Sequence, residues 1–329
     1  MKAPALYFRL VVTMFCVYAH QAGAQTVPPL RGQIVIIVVP FAAGGNVDIG
    51  ARLMAAKLGE QLQATVVVEN KVGASGTLGT QYVARAKPDG TTLLFTPVSP
   101  ISVVPMVSPS IVRYDSDKDL TVIGPVSTSP FVVVGRSDFP ASTAAQLVKV
   151  VRQQPGKFSL GTDGTGTGLH LAAEMVKRSA GLDLLHVPYK SGVQVMTELV
   201  GGQIDLAVLP VALAQGFVQN HKVKAFGVTS AQPWPTLPQV PPLSSVPEFR
   251  GIEIESWQAL FAPAQVPKLV VESLRRALAE TMADPELSHK MTAAGLSPMH
   301  MGADEFESYI RRERSALAKA VAGAGIKPE

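Results

Sequence analysis

The chain alternates short aliphatic runs with segments of helical periodicity. Residues 34–39 form a continuous aliphatic run closed by Pro40, the pattern of a strand buried on both faces. Gly44-Gly45-Asn46 breaks the run. Ile49, Leu53 and Ala56 then recur at spacings of four and three, and the periodicity continues to Leu62, which predicts a helix. Residues 65–68 and 92–95 predict two further strands, the second entered through the turn Pro88-Asp89-Gly90.

The second half repeats the design. Residues 131–134 read as a strand, and 142–154 as a helix stopped by Pro155-Gly156. Residues 158–161 lead into a second glycine-rich turn, Gly161-Thr162-Asp163-Gly164-Thr165-Gly166-Thr167-Gly168. A helix follows with Leu169, Ala173, Val176 and Ala180 on one face and Gly181 placed to end it. Runs at 184–187, 204–209 and 224–228 continue the alternation, and the proline-rich stretch 233–247 reads as an ordered loop or linker. Two C-terminal helices follow: one carries Val270, Leu274, Leu278 and Met282 after Pro267, the other Phe306, Ile310 and Leu317.

Strands separated by helices at this interval predict an α/β protein with parallel sheets. Roughly 300 residues exceed what one compact core holds, so two lobes are expected. A strand–glycine-turn–helix unit occurs twice. Two related lobes joined by crossing strands would place both turns at the carboxyl edges of their sheets, where open α/β sheets bind ligands. The expected division is 25–127 with 228–329 for lobe 1, and 128–227 for lobe 2.

The N-terminal residues change the picture of the compartment. Lys2 and Arg9 precede an apolar run over 10–19, and Ala22-Gly23-Ala24 supplies the small residues of a cleavage site, so 1–24 reads as a secretory signal peptide. The run is too short to span a bilayer, although an uncleaved anchor is the alternative. The only cysteine, Cys16, lies inside it. A mature chain starting near Gln25 would carry none, which excludes disulfides, thiolate catalysis and cysteine metal sites. The formal net charge of +4 falls to about +2 once Lys2 and Arg9 are removed, too weak and too spread for a nucleic-acid footprint. Arg311, Arg312 and Arg314 alternate with Ser308, Glu313 and Ser315, which reads as a solvated helix face.

The two turns are the candidate chemistry. Pro40-Phe41-Ala42-Ala43-Gly44-Gly45-Asn46-Val47-Asp48 contains no lysine or arginine. Its glycines can turn backbone N–H groups toward one point, and the following helix adds partial positive charge, which together suit an anion. A plain tight turn capped by Asn46 or Asp48 is the equal alternative. The second turn adds the hydroxyls of Thr162, Thr165 and Thr167, with His170 just beyond; hydroxyls and amides together can fix a carboxylate. His170 and Glu174 stand at i,i+4 spacing, but no second histidine sits near them at ligand spacing, so no metal site is expected. His186, within a strand run, reads as a core histidine. Catalytic motifs fail one by one. Leu169 stands where a third glycine would complete a dinucleotide fingerprint, and no phosphate loop occurs. Gly73-Ala74-Ser75-Gly76-Thr77 ends in Thr where a nucleophile elbow ends in Gly.

At these turns the chain resembles the Bug family of extracytoplasmic solute receptors, the TctC-like binding component of tripartite tricarboxylate transporters. The markers run along essentially the whole chain after residue 24. They include Val39-Pro40-Phe41-Ala42-Ala43-Gly44-Gly45 with Asp48, Val67-Val68-Glu69-Asn70-Lys71 with Gly73 and Gly76, and Ala86-Lys87-Pro88-Asp89-Gly90. Further on come Gly164-Thr165-Gly166-Thr167 with His170, His186-Val187-Pro188-Tyr189-Lys190, Gly201-Gly202-Gln203-Ile204-Asp205, Val228-Thr229-Ser230 and Leu260-Phe261-Ala262-Pro263.

The resemblance implies a two-lobed type II periplasmic binding-protein fold, a periplasmic location, no cofactor and no catalysis. It also implies a small carboxylate, an organic acid or an amino acid, captured between the lobes and handed to membrane permease subunits. A monomer is expected. The ligand role carries over to Phe41, Ala43, Gly44, Gly45 and Asp48 on one lobe, and to Gly164, Thr165, Gly166, Thr167 and His170 on the other, with Tyr189 and Lys190 at the cleft. Asp48 is left between pairing with an ammonium group and capping its helix, and Lys190 between a second carboxylate and solvent.

Departures from the family pattern bear on the ligand. Thr96-Pro97-Val98-Ser99 replaces small residues, Asp163 and Thr165 stand for Ser and Asn, and Val193-Gln194 for a small residue and Pro. Leu209-Pro210 stands where polar residues are frequent. The walls should therefore favour a monocarboxylate or an aromatic or branched acid over citrate. Two alternatives remain open: a loaded receptor that acts on a membrane sensor, and a periplasmic hydrolase using Ser75 or His170.

Overall fold

A computed structural model describes residues 29–326; residues 1–24, expected to be a signal peptide, and Cys16 within them lie outside the described residues. The first unit is β1 (Ile34–Val39), α1 (Asn46–Leu62), β2 (Thr65–Asn70), α2 (Thr77–Ala84) and β3 (Thr92–Pro97), then a π turn and the single-turn α3 (Val104–Val107). A long strand, β4 (Leu120–Arg136), leads into the second unit: α4 (Ala144–Gln153), β5 (Ser159–Thr162), α5 (Gly168–Ser179), β6 (Leu185–Pro188), α6 (Gly192–Val200), β7 (Leu206–Pro210), α7 (Val211–Gln219) and β8 (Val223–Val228). The chain returns through β9 (Glu255–Pro263) to α8 (Lys268–Met282), α9 (Pro285–Ala293), the two-residue β10 (Ser297–Pro298) and α10 (Ala303–Ala324).

The strands lie in the order β2-β1-β3-β9-β4-β7-β5-β6, with β8 and β10 also pairing β4. This is an α/β fold of two lobes that share one strand. β4 pairs with β9 from Leu120 to Pro130, and from Phe131 onward it pairs with β7 and β8. The parallel pairs are β1 with β2 and β3, and β5 with β6 and β7. Every antiparallel pair involves β9 or β4, the strand shared by the two lobes. The βαβ periodicity could announce only the parallel part. Pro125 and Pro130 inside β4 argue against a strand when read locally, because proline cannot donate to a ladder. The register shifts at Val122/Gly124 and Pro125/Ser127 are how the strand accommodates the departure.

Strand alternation distributes the cores. In β4, Val133 points into a cluster with Phe139, Phe158, Leu160 and Phe226, whereas Val132 and Val134 point into the opposite cluster with Val195, Leu199 and Leu209. In the other lobe Ile37, Met54, Leu58, Phe95 and Leu274 fill one face of the sheet, and Val38, Leu94, Trp257, Phe261 and Phe306 the other. Trp257 Nε1 donates to Glu313 Oε2 at 2.6 Å and so ties β9 to α10. The proline-rich stretch is well anchored. Leu237 and Val240 pack with Val132 and Val134, and Leu243, Phe249 and Ile252 with Phe131 and Val133. Arg311 is exposed, but Arg314 docks on Ser116 and Asp117 instead of facing solvent freely. Among the described residues no helix is long and apolar enough to cross a membrane.

The two connections between lobes are joined by Thr229. This residue is fully buried. Its Oγ1 accepts the Phe131 N–H at 2.9 Å and donates to the Ile254 carbonyl at 2.6 Å, while its own N–H donates to the Phe131 carbonyl. An isosteric Thr229→Val substitution leaves a buried donor and acceptor without that partner, which costs about 1–3 kcal/mol. Urea denaturation should show a loss of this size with an unchanged m-value; a change within about 0.5 kcal/mol, the size of an ordinary surface substitution, would mean that the hydroxyl does not join the crossings.

Candidate functional site

Both glycine turns sit where the pattern puts them, at the carboxyl ends of β1 and β5, each opening into a helix N-terminus. They share one local construction. Gly44, at φ 76°, donates its N–H to Asp48 Oδ2 at 2.9 Å; Gly166, at φ 74°, donates its N–H to His170 Nδ1 at 3.0 Å. In each lobe a left-handed glycine is held by the side chain four residues on. Positive φ is readily open to glycine and strained for other residues, which is why glycine stands at both positions.

The two anchors are themselves held. Asp48 also accepts Arg52 Nε at 2.9 Å and Asn70 Nδ2 at 2.9 Å, and Asn70 Nδ2 donates to the Phe41 carbonyl. Burial would raise the Asp48 pKa, but the Arg52 side chain, the Gly44 amide and the Asn70 amide outweigh it and leave it lowered. His170 stacks on His186 with ring centroids 4.3 Å apart, and His186 Nε2 meets Thr162 Oγ1 at 2.6 Å. Burial, then repulsion from His170, pushes His186 down to about 4. Thr167 caps α5 by accepting the His170 N–H at 3.2 Å.

Between the turns lies a small cavity, about 50 Å³, walled by both lobes. Four helices present first-turn residues to it: α1 through Asn46 and Val47, α5 through Leu169, α6 through Gly192 and Val193, and α7 through its third residue, Leu213. First-turn N–H groups have no carbonyl upstream and carry the positive end of the helix dipole. The lining has no lysine, arginine or histidine; Ser99, Ser191 and Ser256 supply hydroxyls, and Phe131, Val47, Leu169 and Pro97 supply apolar wall. Such a cavity can hold an anionic group by amides and hydroxyls alone.

Of the residues expected to bind, Phe41 and Gly45 line the cavity. Gly44, Asp48, Gly166, Thr167 and His170 build the turns behind it. Gly164, at φ 113°, bends the second turn beside Ser75. Ala43 is exposed on the outside of its turn, and Thr165 turns its carbonyl toward the other lobe. Tyr189 packs beside the lobe core, with its N–H on the Thr162 carbonyl at 2.8 Å. Lys190 is exposed, and its backbone N–H faces Gln194. The sequence reading did not name Asn46, Phe131, Ser191, Leu213 or Ser256 as ligand residues. Pro97, Ser99, Asp163, Val193 and Pro210 do line the cavity, and the departures from the family pattern had marked them.

The lobes touch across the cleft. Ser75 Oγ donates to the Thr165 carbonyl at 2.9 Å, and the Gly168 N–H donates to Ser99 Oγ at 3.0 Å. Ser75 reaches its partner from a left-handed conformation, φ 53° and ψ 31°, unusual for a residue other than glycine. The proton of Ser75 is thus given to a carbonyl, not to a base.

The chain belongs to the family of tripartite tricarboxylate transporter receptors, whose model matches residues 50–323. It is accordingly related to the periplasmic solute-binding proteins. A protein of Agrobacterium vitis encoded in the TAR-I ttuE-ttuC' intergenic region is 32% identical over 294 residues, covering 88% of this chain and 84% of its own length. The structure of the periplasmic binding protein BugD superposes with a TM-score of 0.85 at 34% identity, covering 90% of this chain and 99% of that one. An R. palustris protein solved with adipate gives a TM-score of 0.87 at 27% identity, covering 92% and 99% respectively.

Two outcomes follow from this geometry. Ser75→Ala and Ser99→Ala each remove one cross-lobe hydrogen bond, worth about 0.5–1.5 kcal/mol net, so each should weaken ligand binding roughly 2- to 10-fold in calorimetric titration. Unchanged affinity in both would show that these contacts do not favour the closed state. Burial pushes Asp163 up to about 7, with Thr167 offsetting it in part. A carboxyl whose folded pKa is raised favours the native state below its unfolded pKa and loses that contribution as the pH rises through about 7. His186 acts oppositely below about 6.5, so the difference between variant and parent isolates Asp163. Asp163→Asn should gain stability relative to the parent at pH 8 over pH 5; a pH-independent difference would show that Asp163 is not held in this way.

Proposed function

We propose that the chain is an exported receptor that closes its two lobes on one small carboxylate and delivers it to the membrane permease of a tripartite tricarboxylate-type transporter. The observation that carries this reading is the cavity ringed by four helix N-termini and serine hydroxyls, with no cationic side chain in its lining. An acid group bound there exchanges hydration for fixed amide dipoles. The adipate in a structural neighbour supports the acid class.

In this reading one lobe ends at Pro130 and resumes at Glu255, and the other spans 131–254. The change of pairing partner in β4 and the packing of Leu243, Phe249 and Ile252 on the second core support these crossings. Export by residues 1–24, release of the leader, a monomeric receptor and the absence of turnover belong to the same proposal.

The apolar wall, with Phe131, Leu169, Val193 and Leu213, suits a ligand with one acid group and an apolar body better than citrate, whose further carboxylates would lose hydration against carbon. Purified mature chain, unfolded and refolded to strip any retained ligand, would be titrated in a thermal-shift panel of mono-, di- and tricarboxylates and amino acids. A ligand that binds only the folded state adds about 2.7 kcal/mol at a hundredfold excess over its Kd. Shifts with apolar monocarboxylates larger than with citrate are expected. Tighter binding of citrate would overturn the ligand class, and no shift with any acid would overturn the receptor reading itself.

A further inference from the structure

Two residues that line the cavity, one from each lobe, each carry a buried side-chain oxygen without a hydrogen-bond partner. Asn46, the first residue of α1, is 6% exposed, and its Oδ1 is buried and unpaired. Asp163, in the second glycine turn, has a buried and unpaired Oδ1. Both residues line the same cavity. Leaving a buried acceptor unpaired costs on the order of 1–3 kcal/mol, so each such group calls for an explanation.

An acceptor is satisfied only by an N–H or O–H. The cavity lining supplies no lysine, arginine or histidine. The hydroxyls of Ser99, Ser191 and Ser256 line the cavity too, but none of them is within hydrogen-bond reach of either oxygen. A donor that arrives with the ligand would satisfy both oxygens. Asp48, the other acid at the cleft, offers no such position, because Arg52, Asn70 and Gly44 already surround its carboxylate.

We propose that Asn46 and Asp163 form a two-lobed acceptor pair for an ammonium group, so that the ligand is an apolar α-amino acid. This rests on the receptor reading above and names its ligand class. The ligand's carboxylate lies at the helix N-termini, its ammonium group between Asn46 Oδ1 and Asp163 Oδ1, and its side chain against Phe131 and Leu169. A simple acid of the same skeleton leaves both oxygens unpaired and meets the Asp163 carboxylate with like charge. Burial holds Asp163 near the point of half-ionisation; an ammonium neighbour favours its charged form. Because the two acceptors sit on opposite lobes, a bound ammonium also draws the lobes together.

The test uses matched pairs that differ only at the amine: leucine against 4-methylpentanoate, and phenylalanine against 3-phenylpropanoate, titrated by calorimetry into stripped mature chain at pH 7. The amino acid of at least one pair should bind at least tenfold tighter than its des-amino partner. Asp163→Asn should collapse that ratio to within about threefold, and Asp163→Ser, which resembles the family pattern, provides the second variant should the first not fold. Des-amino acids that bind as tightly as the amino acids would overturn this inference while leaving the carboxylate receptor standing, as would a ratio unmoved by both variants. Binding by neither member of any pair would overturn this inference alone, because the wider acid panel tests the receptor reading separately.

Discussion

The architecture depends on one constraint: a single strand must serve two sheets. β4 gives its first eleven residues to β9 and the rest to β7 and β8, so one continuous strand ties the two sheets together at the point where the pairing partner changes. Thr229 sits at that point and ties both crossings through one hydroxyl. Rotation about a short, hydrogen-bonded crossing lets each lobe move as a rigid body with its own core intact, the usual basis of hinge closure. It also aims both carboxyl edges at the same cavity, which is what brings helices from separate lobes onto one ligand.

Within each lobe the ligand-facing backbone is shaped by a side chain that does not line the cavity. Asp48 and His170 are chemically unlike, yet each accepts a glycine N–H four residues earlier and so sets the entry angle of its helix. The further layer, Arg52 and Asn70 behind Asp48 and His186 behind His170, fixes the anchors in turn. Precision at the site thus comes from groups that a contact list drawn around a ligand would omit.

This arrangement explains what the sequence could disclose. Strands β1, β2, β3 and β5, the glycine turns and helices α1, α5, α8 and α10 are local patterns, and they are legible as periodicity and punctuation. The first half of β4 is not, because Pro125 and Pro130 deny a strand locally while tertiary pairing imposes one. Helices α6 and α7 escaped for a different reason: each is nine residues long, too short for periodicity to stand out. Of the site, the turns were visible, but which of their residues face the cavity was not. Asp48 and His170 carry functional-looking side chains and act on the backbone, whereas Asn46 and Asp163, read as a cap and as a departure, line the cavity. Family resemblance points to a turn; only the fold tells which side of the turn faces inward.

The absence of cationic side chains from the cavity lining has a further consequence. Amide dipoles at helix N-termini carry no titratable proton and attract no condensed counterions, and inside a closed cleft they are shielded from mobile ions far better than a surface lysine would be. The pull on the ligand's acid group is therefore set by folded geometry and not by the medium. A protein facing an extracytoplasmic space, where ionic strength follows the surroundings, would keep its grip on the acid group in both dilute and saline conditions.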